Sequence, residues 1–352
     1  MKIAVDAMGG DHAPQVVIEG AVLAAQAYPE IEIILVGKQD VIESELKKYK
    51  TAGLKLSVVH ASEVVEMNEH TMAVKEKKDA SMNVAARLVR KGEADAFTTA
   101  GNTAAGMAAA LFNIGRIKGV DRPALGTVYP AAPNTCFILD VGANTDLQPE
   151  NLLQFAIMGN VYAEQVLQIP RPRLGIISNG EEEDKGSILT REAQKLLKLQ
   201  TQLNYIGCVE GKDITKGNAD VVVSDGFVGN VMIKLTEGIV SFLARALKRA
   251  FTGGLLNKIA LILLIPGAIL MIPGLVLLLP AVRRVYKQID WQEYGGAPLL
   301  GINGVVVIGH GRSTAKAIKN MIRVSKESVE KGVVESIRKG IETSQQTNKV
   351  TQ

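Results

Sequence analysis

Short apolar runs recur along the chain, and six of them meet a turn built from Gly, Asn, Asp, Ser and Thr. They are KIAVDAMGGDHAP (2–14), ADAFTTAGNTAAG (94–106), FILDVGANTD (137–146), LGIISNGEEEDKG (174–186), VVVSDGFVGN (221–230) and EYGGAPLLG (293–301). A continuous apolar run bounded by turn residues reads as a buried parallel strand. Strands are predicted at 2–6, 31–36, 55–59, 96–99, 126–129, 135–141, 174–178 and 221–224. Between them helices are predicted near 15–27, 41–49, 81–91 and 102–112; the third has apolar residues at three-to-four spacing and is stopped by Gly92, and the fourth is rich in small Ala and Gly. Strands alternating with helices predict an α/β protein, a three-layer α/β/α arrangement around a mostly parallel sheet. Residues 1–342 read as one catalytic domain, and the polar end, 343–352, as a frayed, flexible tail.

One stretch breaks the pattern. No charged residue occurs from Ile259 to Val282, a length sufficient to cross a membrane. Pro266, Pro273 and Pro280 interrupt it, and proline removes a helical hydrogen bond and clashes with the preceding turn. Lys248, Arg249 and Lys258 precede the run, and Arg283, Arg284 and Lys287 follow it. Basic residues on both sides suit a broken helical hairpin, an excursion over about 236–290, pressed into an anionic membrane surface. A buried hairpin or dimer contact and a true span are the alternatives.

Aromatic residues make up only 4% of the 352 residues, against stacking platforms for nucleic acid. The net charge of +4 is spread along the chain and calls for no nucleic-acid partner. Basic residues between Arg312 and Lys339 alternate with Glu and read as a solvated helix face. Cys136 and Cys208 sit in strand-like contexts, which favours buried thiols and a reducing cytosol. His12, His60, His70 and His310 show no zinc spacing, so no metal or cofactor is expected. The opening residues form a strand and turn with no apolar core of a secretory signal.

In open α/β sheets ligands bind outside the carboxyl ends of the strands. DAMGGD sets Asp6 at a strand end, Gly9 and Gly10 at a sharp turn, and Asp11 after it. In TAGNT, Gly101, Asn102 and Thr103 stand where a helix begins, able to cap it and to aim N–H groups at an anion. DVGAN, with Asn144, and SDGFVGN, with Asp225, Gly226, Gly229 and Asn230, repeat the device. NGEEEDKG adds Asn179 and Lys185, and YGGAPLLG adds Gly296. Each can equally be a tight turn closed by its own side-chain hydrogen bonds. Converging on one cleft, they would form a phosphate or carboxylate site without metal or nucleophilic side chain.

VDAMGGDHAP, AGNTAA, GRIKGVDRPA, DVGAN, SDGFVGN and YGGAPLLG occur in one order between residues 4 and about 311. On these stretches the chain resembles the bacterial phosphate acyltransferases, the acyl-carrier-protein:phosphate transacylases of phospholipid synthesis. The resemblance implies a fold akin to isocitrate and isopropylmalate dehydrogenases and to phosphotransacetylase. It implies a homodimer, and the reversible reaction of an acylated carrier protein with inorganic phosphate to give acyl phosphate and the free carrier protein. Together with the apolar run from Ile259 to Val282, that reaction points to a cytoplasmic enzyme held peripherally at the inner face of the membrane, handing its product to a membrane glycerol-phosphate acyltransferase. The chain departs from the family in lacking lysines between Ile259 and Val282 and in having a more acidic turn after Asn179. Phosphate is itself a nucleophile, so catalysis reduces to positioning and oxyanion stabilisation, with no acyl-enzyme. Asn102, Thr103, Asn144 and Asn230 are the expected donors, Lys185 an electrostatic clamp, and Asp6 and Asp225 orienting groups. Two other readings are an oxidoreductase on the dehydrogenase fold, for which the G-x-G-x-x-G fingerprint is missing, and a membrane scaffold, which leaves the six turns unexplained.

Overall fold

A computed structural model of the chain describes residues 1–132, 134–254 and 290–350, together with 257, 263, 267, 271, 274 and 276–281. The apolar run beginning at Ile259 therefore lies largely outside the described residues. Eleven strands form one sheet: β1 (Lys2–Asp6), β2 (Glu32–Gly37), β3 (Leu56–His60), β4 (Ala96–Thr99), β5 (Ala124–Pro130), β6 (Thr135–Leu139), β7 (Arg173–Ile177), β8 (Asn204–Val209), β9 (Val221–Val223), β10 (Ala297–Leu300) and β11 (Val305–Ile308). The helices are α1 (Gln15–Ala27), α2 (Gln39–Leu46), α3 (Ala73–Glu76), α4 (Ser81–Arg90), α5 (Thr103–Asn113) and α6 (Pro149–Gln165). They continue as α7 (Ile188–Lys198), α8 (Gly211–Ile214), α9 (Gly226–Thr252), α10 (Trp291–Tyr294), α11 (Ala315–Glu330) and α12 (Val333–Val350).

The strand order is β3-β2-β1-β4-β11-β10-β5-β6-β9-β7-β8. Pairing is parallel except where β10 meets β11 and β5, and where β5 meets β6. Period-two alternation sorts the core: Ile3 and Val5 of β1 pack with residues of α1 and α11, while Ala4 packs with residues of α4 and α5 on the other face. A third cluster joins β6, β7 and β9 to α6, α7 and α12, with Phe137 stacked on Tyr162 at 4.4 Å between ring centroids. Fully buried side chains such as Phe97 and Ile33 each contribute roughly 1.5–3 kcal/mol before entropy costs.

The chain divides into two compact units, residues 1–229 with 291–352, and residues 230–290. α12 runs on to Val350, over residues that the sequence reads as a tail, and Ser344 is buried. Ile337 and Ile341, buried in the third cluster, hold that helix down. α5 begins one residue later than the sequence indicates, because Asn102 is its cap.

Candidate active site

The carboxyl ends of β1, β4 and β11 lie side by side, Ile3 opposite Ala96 and Ile308 opposite Thr99. Asp6, 1% exposed, ends β1. Its carboxylate accepts hydrogen bonds from Met8 N at 3.2 Å and Thr99 Oγ1 at 2.7 Å, and from Gly9 N and the Ser81 hydroxyl. Thr99 Oγ1 in turn accepts from Gly101 N at 3.0 Å. One carboxylate thus ties the first turn, the end of β4 and the start of α4 together. Burial pushes its pKa up despite those hydrogen bonds. Gly9 has no room for a side chain, since a Cβ would run into Asp6 Oδ2 and lie 2.8 Å from Gly101 N. Gly10, at φ +123°, presses between the carbonyls of Ala100 and Gly311, and Asp11 N donates to Gly311 O at 2.9 Å.

Asn102 Oδ1 accepts from Ala105 N at 3.1 Å, capping α5. Its Nδ2 donates to Met67 O at 3.0 Å and to Glu69 O at 3.1 Å. Both amide hydrogens are spent on that loop, so the side chain would have to release it before donating to a substrate. The open donors lie beside it. Among the described residues the N–H groups of Gly10, Asn102, Thr103 and Ala104 meet no acceptor, and Thr103 and Ala104 are exposed. Unpaired N–H groups on the first turn of an eleven-residue helix attract an anion.

The turn after β6 behaves differently. Asp140 is fully buried and accepts from Leu125 N at 3.1 Å, Gly142 N at 3.1 Å, Ala143 N at 3.0 Å and Asn144 N at 2.8 Å. Asn144 Nδ2 donates to the same carboxylate at 2.9 Å and to Pro123 O at 2.8 Å. The N–H groups that the sequence suggested for an external anion are filled by the chain's own, and burial pushes the pKa of Asp140 up. Asp225 Oδ1 accepts from Val228 N at 2.9 Å and caps α9. Gly226 N donates to Asn144 O at 2.7 Å, and a Cβ on Gly229 would collide with Asp140 O. Asn230 opens the second unit.

Asn179 Oδ1 closes its own turn by accepting from Gly186 N at 2.8 Å. Lys185 has no ion-pair partner among the described residues, yet Glu181, Glu182, Glu210 and Lys212 border a cavity of about 410 Å3 here. That surround repels phosphate. The carboxylates of Glu181, Glu210 and Asp213 come within 4.8 Å of one another and could hold a cation, although Lys216 already lies 3.0 Å from Asp213. Gly296, at φ +100°, sits 3.0 Å from Ile308 O, measured from the place of a Cβ, at the end of β11. Cys136 and Cys208 are buried, and burial pushes both thiols up.

The turns therefore form separate groups. β6, β7 and β9 run opposite to β1, β4 and β11, so the two sets of carboxyl ends point to different edges of the sheet. Sequence reasoning missed Ser81, Met67, Glu69 and Gly311 as parts of the first group, and Asp140 as the centre of the second. Only Asp140 carried a signal, as the acid that opens DVGAN.

Residues 1–336 match a protein family described as fatty acid synthesis protein. The chain belongs to that family. It is 48% identical over 344 residues to a phosphate acyltransferase of Pelotomaculum thermopropionicum, covering 97% of this chain and 96% of that one. It is 49% identical over 334 residues to a phosphate acyltransferase of Geotalea daltonii, covering 95% and 92%. Among solved structures it is similar to a phosphotransacetylase from Streptococcus pyogenes, with a TM-score of 0.60 and 17% identity over 94% of each chain. A 4-hydroxythreonine-4-phosphate dehydrogenase from Klebsiella pneumoniae aligns at a TM-score of 0.52 and 12% identity over 93% of this chain and 98% of that one. These two likenesses extend to the fold, an α/β architecture shared by acyl-transfer enzymes and dehydrogenases.

Proposed function

We infer that the protein is an acyltransferase that moves an acyl group onto inorganic phosphate, as the names of its relatives and the open anion-binding turn both suggest. The observation that carries the reading is the solvent-facing start of α5, where the N–H groups of Asn102, Thr103 and Ala104 stand unpaired beside that of Gly10. A phosphate held there gains from the donors and from the helix dipole. One phosphate oxygen attacks the thioester carbonyl, and the carbonyl oxygen takes the developing charge. The C–S bond then breaks, the acyl group leaves on phosphate, and the proton of hydrogen phosphate ends on the thiol. Neighbouring N–H groups and the Thr103 hydroxyl stabilise the oxyanion, while Asn102 and Asp6 hold the donors in place. The buried thiols of Cys136 and Cys208 take no part.

The acyl donor in this reading is an acyl carrier protein, and the product passes to a membrane glycerol-phosphate acyltransferase. The enzyme works as a homodimer in the cytoplasm, attached peripherally to anionic lipid through the segment from Ile259 to Val282. Two features support that attachment. α9 is long and apolar enough to cross a membrane, with only 6% of its most apolar window buried, and Leu263 and Leu277 are 73% and 82% exposed. Incubating the protein with a carrier protein loaded with an acyl thioester, and following release of the carrier thiol, tests the reaction. Release should require phosphate and persist in a chelator. Phosphate-independent release, or loss of activity on chelation with recovery on adding a divalent ion, would contradict it.

A further inference from the structure

α5 leads away from the proposed phosphate position with two contrasting sides. Ala105, Gly106, Ala108, Ala109 and Ala110 are buried, small residues that let the helix lie close on the sheet. The outward side carries exposed Ala104 and half-buried Met107 and Leu111, at spacings of three and four that align them on one stripe. On the flank next to it, at the last turn, Phe112 is 48% exposed, and Met72 just before α3 is 49% exposed. Lys75 of α3 stands 4.6 Å over the Phe112 ring, fixing that ring at the far end. The stripe is apolar from the first turn of the helix to its last. From Ala104 to Leu111 it runs roughly 10 Å.

We propose that this stripe is the track for the acyl chain of the substrate. The inference rests on the phosphate site placed at the start of α5. An acyl carbonyl attacked by phosphate at that point must lie against the first turn, and its hydrocarbon tail then needs apolar surface continuous with the reaction centre. Ala104 is small enough to let the carbonyl approach, and Met107, with its adaptable thioether, and Leu111 cover the methylenes that follow. The Lys75–Phe112 pair marks where the track ends, which makes the protein selective for chain length.

The test compares phosphate-dependent thiol release from long-chain and short-chain acyl-carrier proteins, for the natural chain and for Met107→Gln and Leu111→Gln. The long-to-short ratio of kcat/KM should fall roughly tenfold in each variant, the factor expected from losing contact with about two buried methylenes. A ratio unchanged in variants that melt normally would overturn the track and leave the reaction itself standing. Absence of any phosphate-dependent release by the natural chain would instead remove the phosphate site. A second measurement needs no variant: a long-chain acyl-carrier protein with a diazirine at the chain terminus, photolysed on the natural protein. Labelling of the peptides carrying Leu111, Phe112 or Met72 is expected, and labelling confined elsewhere would refute the proposal.

Discussion

Asp6 accepts from two hydroxyls and two backbone N–H groups while almost wholly removed from water. Burial outweighs those bonds and raises its pKa above the ordinary carboxylate value of 3.8. Between the unfolded and folded values the folded state holds a proton that the unfolded state has lost. The contribution of Asp6 to stability is therefore greatest below that interval and declines as pH rises through it. Asp140, raised for the same reason, adds to the slope. Asp6→Asn should flatten the decline in melting temperature as pH rises above the ordinary carboxylate value of 3.8. It should also lower stability overall by about 1–3 kcal/mol, because an amide NH2 then faces donors. A slope identical to that of the natural chain would mean that Asp6 titrates as an ordinary carboxyl.

Gly226 and Gly229 face the Asp140 turn from the first turn of α9, and the contact leaves no volume for a methyl group. Gly229→Ala should destabilise the protein by about 1–3 kcal/mol or more in chemical denaturation, through overpacking. Gly238→Ala, later in the same helix with nothing within 4 Å, should instead be neutral or stabilising by up to about 1 kcal/mol. Equal effects at the two positions would show that packing on Asp140 is not what requires glycine. The elements themselves were legible from the chain: apolar runs such as VVVS and FILD became β9 and β6, and the small-residue run after Asn102 became α5. What each turn does was less so. DVGAN and TAGNT look alike in sequence, but Asp140 fills the first with its own carboxylate, and the second has no acid at the matching place. Contacts across the sheet, such as Met67 and Glu69 on Asn102, join residues more than 30 positions apart and leave no local trace.

At the scale of the whole molecule, the second unit carries exposed apolar side chains that residues 1–229 and 291–352 largely keep inside, including Leu235, Phe242, Leu263 and Leu277. Basic residues Arg245, Lys248 and Arg249 accompany them on α9. Leu263→Asp with Leu277→Asp should release the protein from vesicles of anionic phospholipid in a flotation assay, since each buried leucine contributes roughly 1.5–3 kcal/mol to such binding. Flotation undiminished by both changes would defeat the membrane reading. Conversion of a dimer into inactive monomers would assign the surface to contact between copies.

The order of strands in the sheet also governs how the chain is born. β10 and β11 stand in the middle, between β4 and β5, although they are the last strands to be synthesised. Until residues 297–308 leave the ribosome, β4 and β5 each present a bare edge, and the two halves of the sheet have nothing to join them. A nascent chain therefore carries the turns after β1 and β4 on an unfinished frame, exposed to edge-to-edge association for most of its synthesis.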